Sequence, residues 1–202
     1  MKRKAVIQAP LGETKVLLHT CCAPCSSAII EAMLQNGITP IIYYCNPNIY
    51  PYEEYEIRKN ECTRYAQALG LEIVDADYDH ENWLEAVKGL EAEPERGGRC
   101  LKCFKLRLLR TAQYARSRGI KVITTTLASS RWKSLEQINE AGLWACGLDA
   151  EKNPPDNKVI WWTQNWRKGG LQERRLQILK EYDFYNQLYC GCEFSIRKED
   201  SI

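Results

Sequence analysis

Short runs of apolar, β-branched and aromatic residues alternate along this chain with helical stretches, and that alternation restricts the fold more than any other feature. The runs fall at Val16–His19, Thr39–Tyr44, Glu72–Asp75, Lys121–Thr124 and Val159–Trp162. Helical patterns cover Ser26–Gln35, Tyr52–Leu69, Glu81–Lys88, Leu101–Arg118, Ser134–Ala145 and Leu171–Glu181. Ser26 reads as an N-cap, Pro51 lies near a first turn, and Gly37, Gly70 and Gly119 stand where helices stop. Strand–helix alternation predicts an α/β fold with a mostly parallel sheet and helices on both faces. We expect a single catalytic domain over residues 1–202. About 1–14 would be a lead-in, and about 153–202, after the break at Asn153-Pro154-Pro155-Asp156, a C-terminal extension carrying Cys190-Gly191-Cys192.

At 202 residues the chain can bury a sizeable core without staples. Lys+Arg is 28 against 26 Asp+Glu, so any attraction to an anion must come from a local patch. Six Trp and eleven Tyr with no low-complexity run argue against disorder. The longest strongly apolar stretch, Ile41 to Cys45, is far too short to cross a bilayer. Met1-Lys2-Arg3-Lys4 opens like a leader, but Gln8, Pro10 and Glu13 interrupt the next stretch before an apolar run can form. A soluble, cytoplasmic protein is expected.

Ten cysteines carry the chemistry. Disulfide scaffolds belong to short secreted chains, so clustered thiols here point to metal or redox chemistry. The clusters are Cys21-Cys22-Ala23-Pro24-Cys25, Cys100-Leu101-Lys102-Cys103 and Cys190-Gly191-Cys192. The first occupies the turn after the first strand, where open α/β sheets bind ligands, and a helix N-terminus there favours thiolate. Cys100 and Cys103, three apart at a helix start, face one side. Two CxxC pairs would also suit a structural four-cysteine zinc site in a nucleic-acid-binding module, and Cys22–Cys25 alone a thiol–disulfide oxidoreductase. Cys190 and Cys192 are too close for a relaxed disulfide, which suits a redox-active dithiol. Haem-attachment and ferredoxin patterns are absent. Cys45, Cys62 and Cys146 read as small core hydrophobes, and His19 as a satisfied core residue.

His19-Thr20-Cys21-Cys22-Ala23-Pro24-Cys25-Ser26 resembles the opening motif of the cobalamin-independent epoxyqueuosine reductases, the QueH family. Asn46-Pro47-Asn48-Ile49 with Glu54, Tyr55 and Arg58, Arg99-Cys100-Leu101-Lys102-Cys103-Phe104 with Arg107-Leu108, and Tyr189-Cys190-Gly191-Cys192 fit the family in the same order. The resemblance implies a fold similar to the adenine nucleotide alpha-hydrolase (HUP-like) group. It implies two-electron deoxygenation of epoxyqueuosine at the wobble position of tRNA, giving queuosine, with an unidentified electron donor. It also implies a [4Fe-4S] cluster on Cys21, Cys22, Cys100 and Cys103, an adjacent additional iron ion, and a redox-active pair in Cys190 and Cys192. Adjacent side chains on extended backbone diverge, so Cys21 and Cys22 can share one cluster only across a sharp bend, with Cys25 as the alternative ligand. Cys45, Tyr50, Asn186, Leu188, Leu171 and Arg175 depart from the family pattern, and none is a proposed ligand.

Asp77, Tyr78 and Asp79 come after a strand and are candidate proton donors. Lys102, Lys105, Arg107, Arg110, Arg116 and Arg118 on one helix, with Arg131-Trp132-Lys133 and Trp166-Arg167-Lys168, offer basic and aromatic groups for tRNA; an ordinary solvated helix face is the alternative.

Overall fold

The computed structural model describes residues 6–151 and 158–196, so the expected break at Asn153–Asp156 and the basic start at Met1–Lys4 lie outside the described residues. Five strands form one parallel sheet in the order β3-β2-β1-β4-β5: β1 Lys15–Thr20, β2 Thr39–Tyr44, β3 Ile73–Asp75, β4 Val122–Thr125 and β5 Ile160–Trp161. The helices are α1 Ala23–Gln35, α2 Tyr52–Ala68, α3 His80–Val87, α4 Gly98–Ser117, α5 Leu135–Glu151 and α6 Leu171–Glu181. Every residue of Val16–Thr20, Pro40–Tyr44 and Val122–Thr125 is buried, at odd and even positions alike, so both faces of the central strands are covered. One layer is α1 with α2 and α6; the other is α4 with α3 and α5. The stretch expected as an extension supplies the fifth strand and a helix packed on α1.

Two boundaries differ from expectation in ways that matter for the site. The first helix starts at Ala23, with Cys22 as N-cap and Pro24 in its first turn, so Ser26 is helical and donates back to the Ala23 carbonyl at 3.1 Å. Proline is at ease in a first turn because the N–H it lacks has no helical partner there. The fourth helix begins at Gly98 rather than Leu101, which puts Cys100 and Cys103 in its first two turns.

The strand order reverses at β1: the chain proceeds from β1 to β2 on one side, and later returns to β4 on the other. Such switch points open a crevice at the carboxyl ends of the strands. Cys21 comes directly after β1.

Candidate metal and thiol centre

Thr20 ends β1 and a bend at Cys21 delivers the chain into α1. The bend is sharp enough to overcome the divergence of neighbouring side chains. Cys21 Sγ and Cys22 Sγ stand 3.9 Å apart, and with Cys25 Sγ all three sulfurs lie within 4.8 Å of one another. Cys21 N donates to Thr126 Oγ1 at 3.2 Å, and its sulfur lies 3.4 Å from the same hydroxyl, which fixes the bend against the segment after β4. Gln187 Nε2 covers the group, 3.2 Å from Cys22 Sγ and 3.8 Å from Cys25 Sγ.

Three thiols in contact, Cys22 buried and Cys21 and Cys25 partly so, do not share charge equally. Hydrogen bonds from Cys22 and Cys25 hold the Cys21 pKa well below the ordinary thiol range. Burial, with Cys21 beside it, pushes Cys22 up, and the bond to Cys21 raises Cys25 to about 12.

A second set of thiols lies across two cations, Arg107, which is buried, and Lys133, which is partly buried. Cys100, Cys103, Cys190 and Cys192 line one cavity with Trp83, Arg99, Asn48, Phe104 and Arg107. Arg107, 2% exposed, is held by the Cys45 carbonyl at 3.2 Å and by Asn46 Oδ1, and its Nη1 lies 3.8 Å from Cys103 Sγ. Asn46 in turn donates to the Thr20 carbonyl at 2.9 Å, tying the turn after β2 to the end of β1. Lys133 Nζ donates to Cys190 Sγ at 3.1 Å. Burial pulls the Lys133 ammonium down, but Cys190 and Cys21 outweigh it and the net shift is upward. Burial likewise raises Cys192 to about 11.

The Cys190-Gly191-Cys192 segment is clasped by its backbone. Arg58 Nη1 and Nη2 donate to the carbonyls of Cys190 and Tyr189 at 3.2 and 3.3 Å, while Glu54 grips the same guanidinium at 2.7 Å. Tyr50 N donates to the Gly191 carbonyl at 2.9 Å. Gly191 has φ of 136°, and a Cβ there would meet Asn48 Nδ2 and Ile49 Cγ1 at 3.1 Å. Only glycine combines that backbone angle with so close an approach.

The remaining expectations divide. His19 is a core residue: its Nε2 reaches the Cys45 carbonyl at 3.0 Å and its Nδ1 meets Thr125 Oγ1 at 2.7 Å. Burial and Arg107 lower its pKa to about 3, so it is neutral. Cys45, Cys62 and Cys146 are buried, as core residues should be. Neither Asp77 nor Asp79 lines the cavity, and Tyr78 Oη is committed to the Ile49 carbonyl at 2.7 Å. Of the basic residues on α4 and at its C-cap, Lys105, Arg110 and Arg118 pair with Glu140, Asp79 and Glu72, and Arg107 is buried, so that helix is not a free cationic stripe. Trp166 is 1% exposed and cannot stack on a base, whereas Trp132 is 60% exposed. Gln187 escapes sequence reasoning altogether, having no neighbour in the chain to mark it. Arg107 and Lys133 read along the chain as cations for RNA, since a basic residue near a cysteine in space looks like any other in sequence.

A parallel sheet with thiols gathered at its switch point defines a doubly wound α/β protein with a cysteine metal-binding site. Among the described residues, none of the helices is long and apolar enough to cross a membrane. Comparison with known proteins narrows the class. The family model described as epoxyqueuosine reductase QueH matches residues 16–198. Curated proteins of that name are similar along most of their length. The one from Histophilus somni is 48% identical over 191 residues, 95% of this chain and 76% of that protein. The one from Acinetobacter baylyi is 45% identical over 97% of this chain and 87% of its own. A more distant one, from Thermotoga maritima, is 34% identical over 90% of each. The chain belongs to the QueH family of epoxyqueuosine reductases.

The three sulfurs of the first group fit a metal. A tetrahedral thiolate site with bonds of about 2.3 Å has sulfur–sulfur edges of about 3.8 Å, and the 3.9 Å between Cys21 and Cys22 matches it. None of the ten cysteines is paired in a disulfide. Cys100 and Cys103 are not among the three sulfurs of this compact set.

Proposed function

We propose that the chain is a single-domain, cytoplasmic epoxyqueuosine reductase acting on tRNA, with an iron–sulfur cluster held by Cys21, Cys22, Cys100 and Cys103 and a dithiol in Cys190 and Cys192. One observation carries the reading. Thiols from three distant parts of the chain converge around Arg107 and Lys133 at the switch point, in a chain that matches the family from 16 to 198. Their division into two groups leaves room for more than one iron, and Cys21 and Cys22, 3.9 Å apart as two ligands of one ion would be, would have to spread to serve different irons of a cluster. Cys25 is the spare sulfur beside Cys21 and suits an additional iron. The strand order is in keeping with the resemblance to the adenine nucleotide alpha-hydrolase fold.

Removing an epoxide oxygen breaks two C–O bonds, forms a C=C bond and releases water, so it consumes two electrons and two protons. When bound, the cluster would supply single electrons, and an iron with an open position would polarise the C–O bond. The protein's own groups account for the rest. Oxidation of the Cys190/Cys192 dithiol to a disulfide yields two electrons and two protons, the amounts required, after which an external donor must reduce it again. Lys133 holds a proton on Nζ against Cys190 Sγ and is the group best placed to pass one to the departing oxygen. Arg107 keeps cationic charge next to Cys103. A wobble nucleotide is already in a loop, so presenting it costs little unstacking.

Anaerobic purification, then iron and zinc analysis, an absorption spectrum and an assay on epoxyqueuosine tRNA, tests the reading. About four or more irons, a brown colour and conversion to queuosine are expected. Zinc alone would favour the binding module, and a metal-free protein with dithiol activity the thiol–disulfide oxidoreductase. Lys133→Met is expected to lower turnover at least about tenfold with iron content unchanged, and Lys133→Arg to restore part of it. Parental turnover in the Met variant would remove Lys133 from the mechanism.

A further inference from the structure

The loop between β4 and α5 passes beside the thiol cavity, and its backbone is held from two sides. Arg96 donates through Nε to the Trp132 carbonyl and through Nη2 to the Arg131 carbonyl, both at 2.9 Å. Arg167 Nη2 donates to the Lys133 carbonyl at 2.7 Å. Gln137 Nε2 then fixes Arg96 itself, donating to its carbonyl at 2.8 Å. On this stiffened loop, Lys133 reaches inward to Cys190 Sγ at 3.1 Å, while its neighbour Trp132 leaves 60% of its surface in water. The Arg131 guanidinium lies over the Trp132 ring, 4.9 Å from its centroid.

The charge around this indole is uncompensated. Among the described residues no carboxylate pairs with Arg96, Arg131 or Arg167. Burial and the nearby Arg96 guanidinium both push the Arg167 pKa down, a cost that an anion between the two would relieve. Arg167 Nε is buried and has no hydrogen-bond partner. An exposed indole on a loop whose backbone is held, with Arg131 over the ring and two further guanidinium groups bonded to that loop that no carboxylate pairs, matches one chemistry well: a flat, uncharged ring carried on an anionic backbone. An unpaired nucleotide is such a ligand, its base stacking on the ring and its phosphates meeting the arginines. An apolar protein patch would leave the three cations without partners.

We propose that Trp132, steadied by Arg131, is the stacking platform for an unpaired base adjoining the reacting nucleotide of the anticodon loop, with Arg96 and Arg167 taking its phosphates. The proposal rests on the tRNA reading above and deepens it. Lys133, the next residue along the loop, touches Cys190 Sγ, so a base on Trp132 would be held one residue from a group that contacts the dithiol.

The test uses the anaerobically prepared holoprotein and an unmodified anticodon stem–loop RNA as probe, titrated by tryptophan fluorescence. Trp132→Ala is expected to weaken RNA affinity by about ten- to a hundredfold, and Trp132→Phe to retain most of it. Thermal melting and iron content should match the parent in both, because the side chain is exposed and touches no thiol. With dithionite-driven reduction of epoxyqueuosine tRNA, the Ala variant should show a raised KM and an unchanged kcat. Equal RNA affinity in parent and Ala variant would overturn the platform, as would failure of the parent to bind the RNA. Unaltered RNA binding with slower turnover only when a protein donor replaces dithionite would also overturn it, by assigning the surface to that donor. Trp132-dependent RNA binding in a protein that reduces no epoxyqueuosine would leave the platform standing and discard the proposed reaction.

Discussion

A Cys190→Ser, Cys192→Ser double variant is expected to keep its iron and lose its turnover, to below about a thousandth of the parental rate. Serine has nearly the volume of cysteine, and what fixes this segment is backbone: the Arg58 bonds to the carbonyls of Tyr189 and Cys190 and the Tyr50 bond to Gly191 survive the change. The fold and the other five clustered thiols are therefore left in place. What disappears is a store of two electrons and two protons, which a pair of hydroxyls cannot provide. Each single variant should be about as inactive as the double one, because half a dithiol cannot close. Iron analysis beside a turnover assay reads both halves of the expectation; full activity in the double variant would discard the dithiol role.

Cys21→Ser should produce the opposite separation, with metal and activity lost together. Cys21 is the sulfur of the group whose pKa its neighbours hold well below the ordinary thiol range, the direction a metal ligand needs. A serine hydroxyl keeps its proton at neutral pH and is a harder ligand than iron in a thiolate site accepts. We expect iron in the purified variant to fall by at least half and reduction to drop at least about a hundredfold. Cys62→Ala is the matching control. Cys62 is buried in α2 with no place among the clustered thiols, so that variant should lose some stability but none of its iron. Full iron in Cys21→Ser would sink the ligand assignment.

Much of the architecture is legible in the sequence because periodicity and glycine punctuation report local structure directly. The runs at Thr39–Tyr44 and Leu171–Glu181 coincide with β2 and α6 to the residue. The miss at the first helix has a clear physical reason. Ser26 is the better N-cap by chemistry, but Thr126 and the parallel pairing of β1 pull the bend back to Cys21, and Cys22 takes the cap position without a side-chain bond. Tertiary contacts decide that boundary, and no local signal carries them. The same limit applies at the site. Spacing marks which cysteines belong together within each motif. It cannot say that Cys100 and Cys103 share a cavity with the last pair, nor that Arg107 turns inward between Cys103 and Asn46 while Arg118 beyond the same helix meets Glu72.

The Arg58 clasp also dictates a schedule. Its two carbonyl partners lie 131 and 132 positions downstream, so a nascent polypeptide leaving the ribosome has already completed the first three strands and α4 while that guanidinium still waits for its occupant. Until translation delivers those last positions, Arg58 has neither carbonyl to hold and the Cys190–Cys192 segment has no seat beside the earlier thiols.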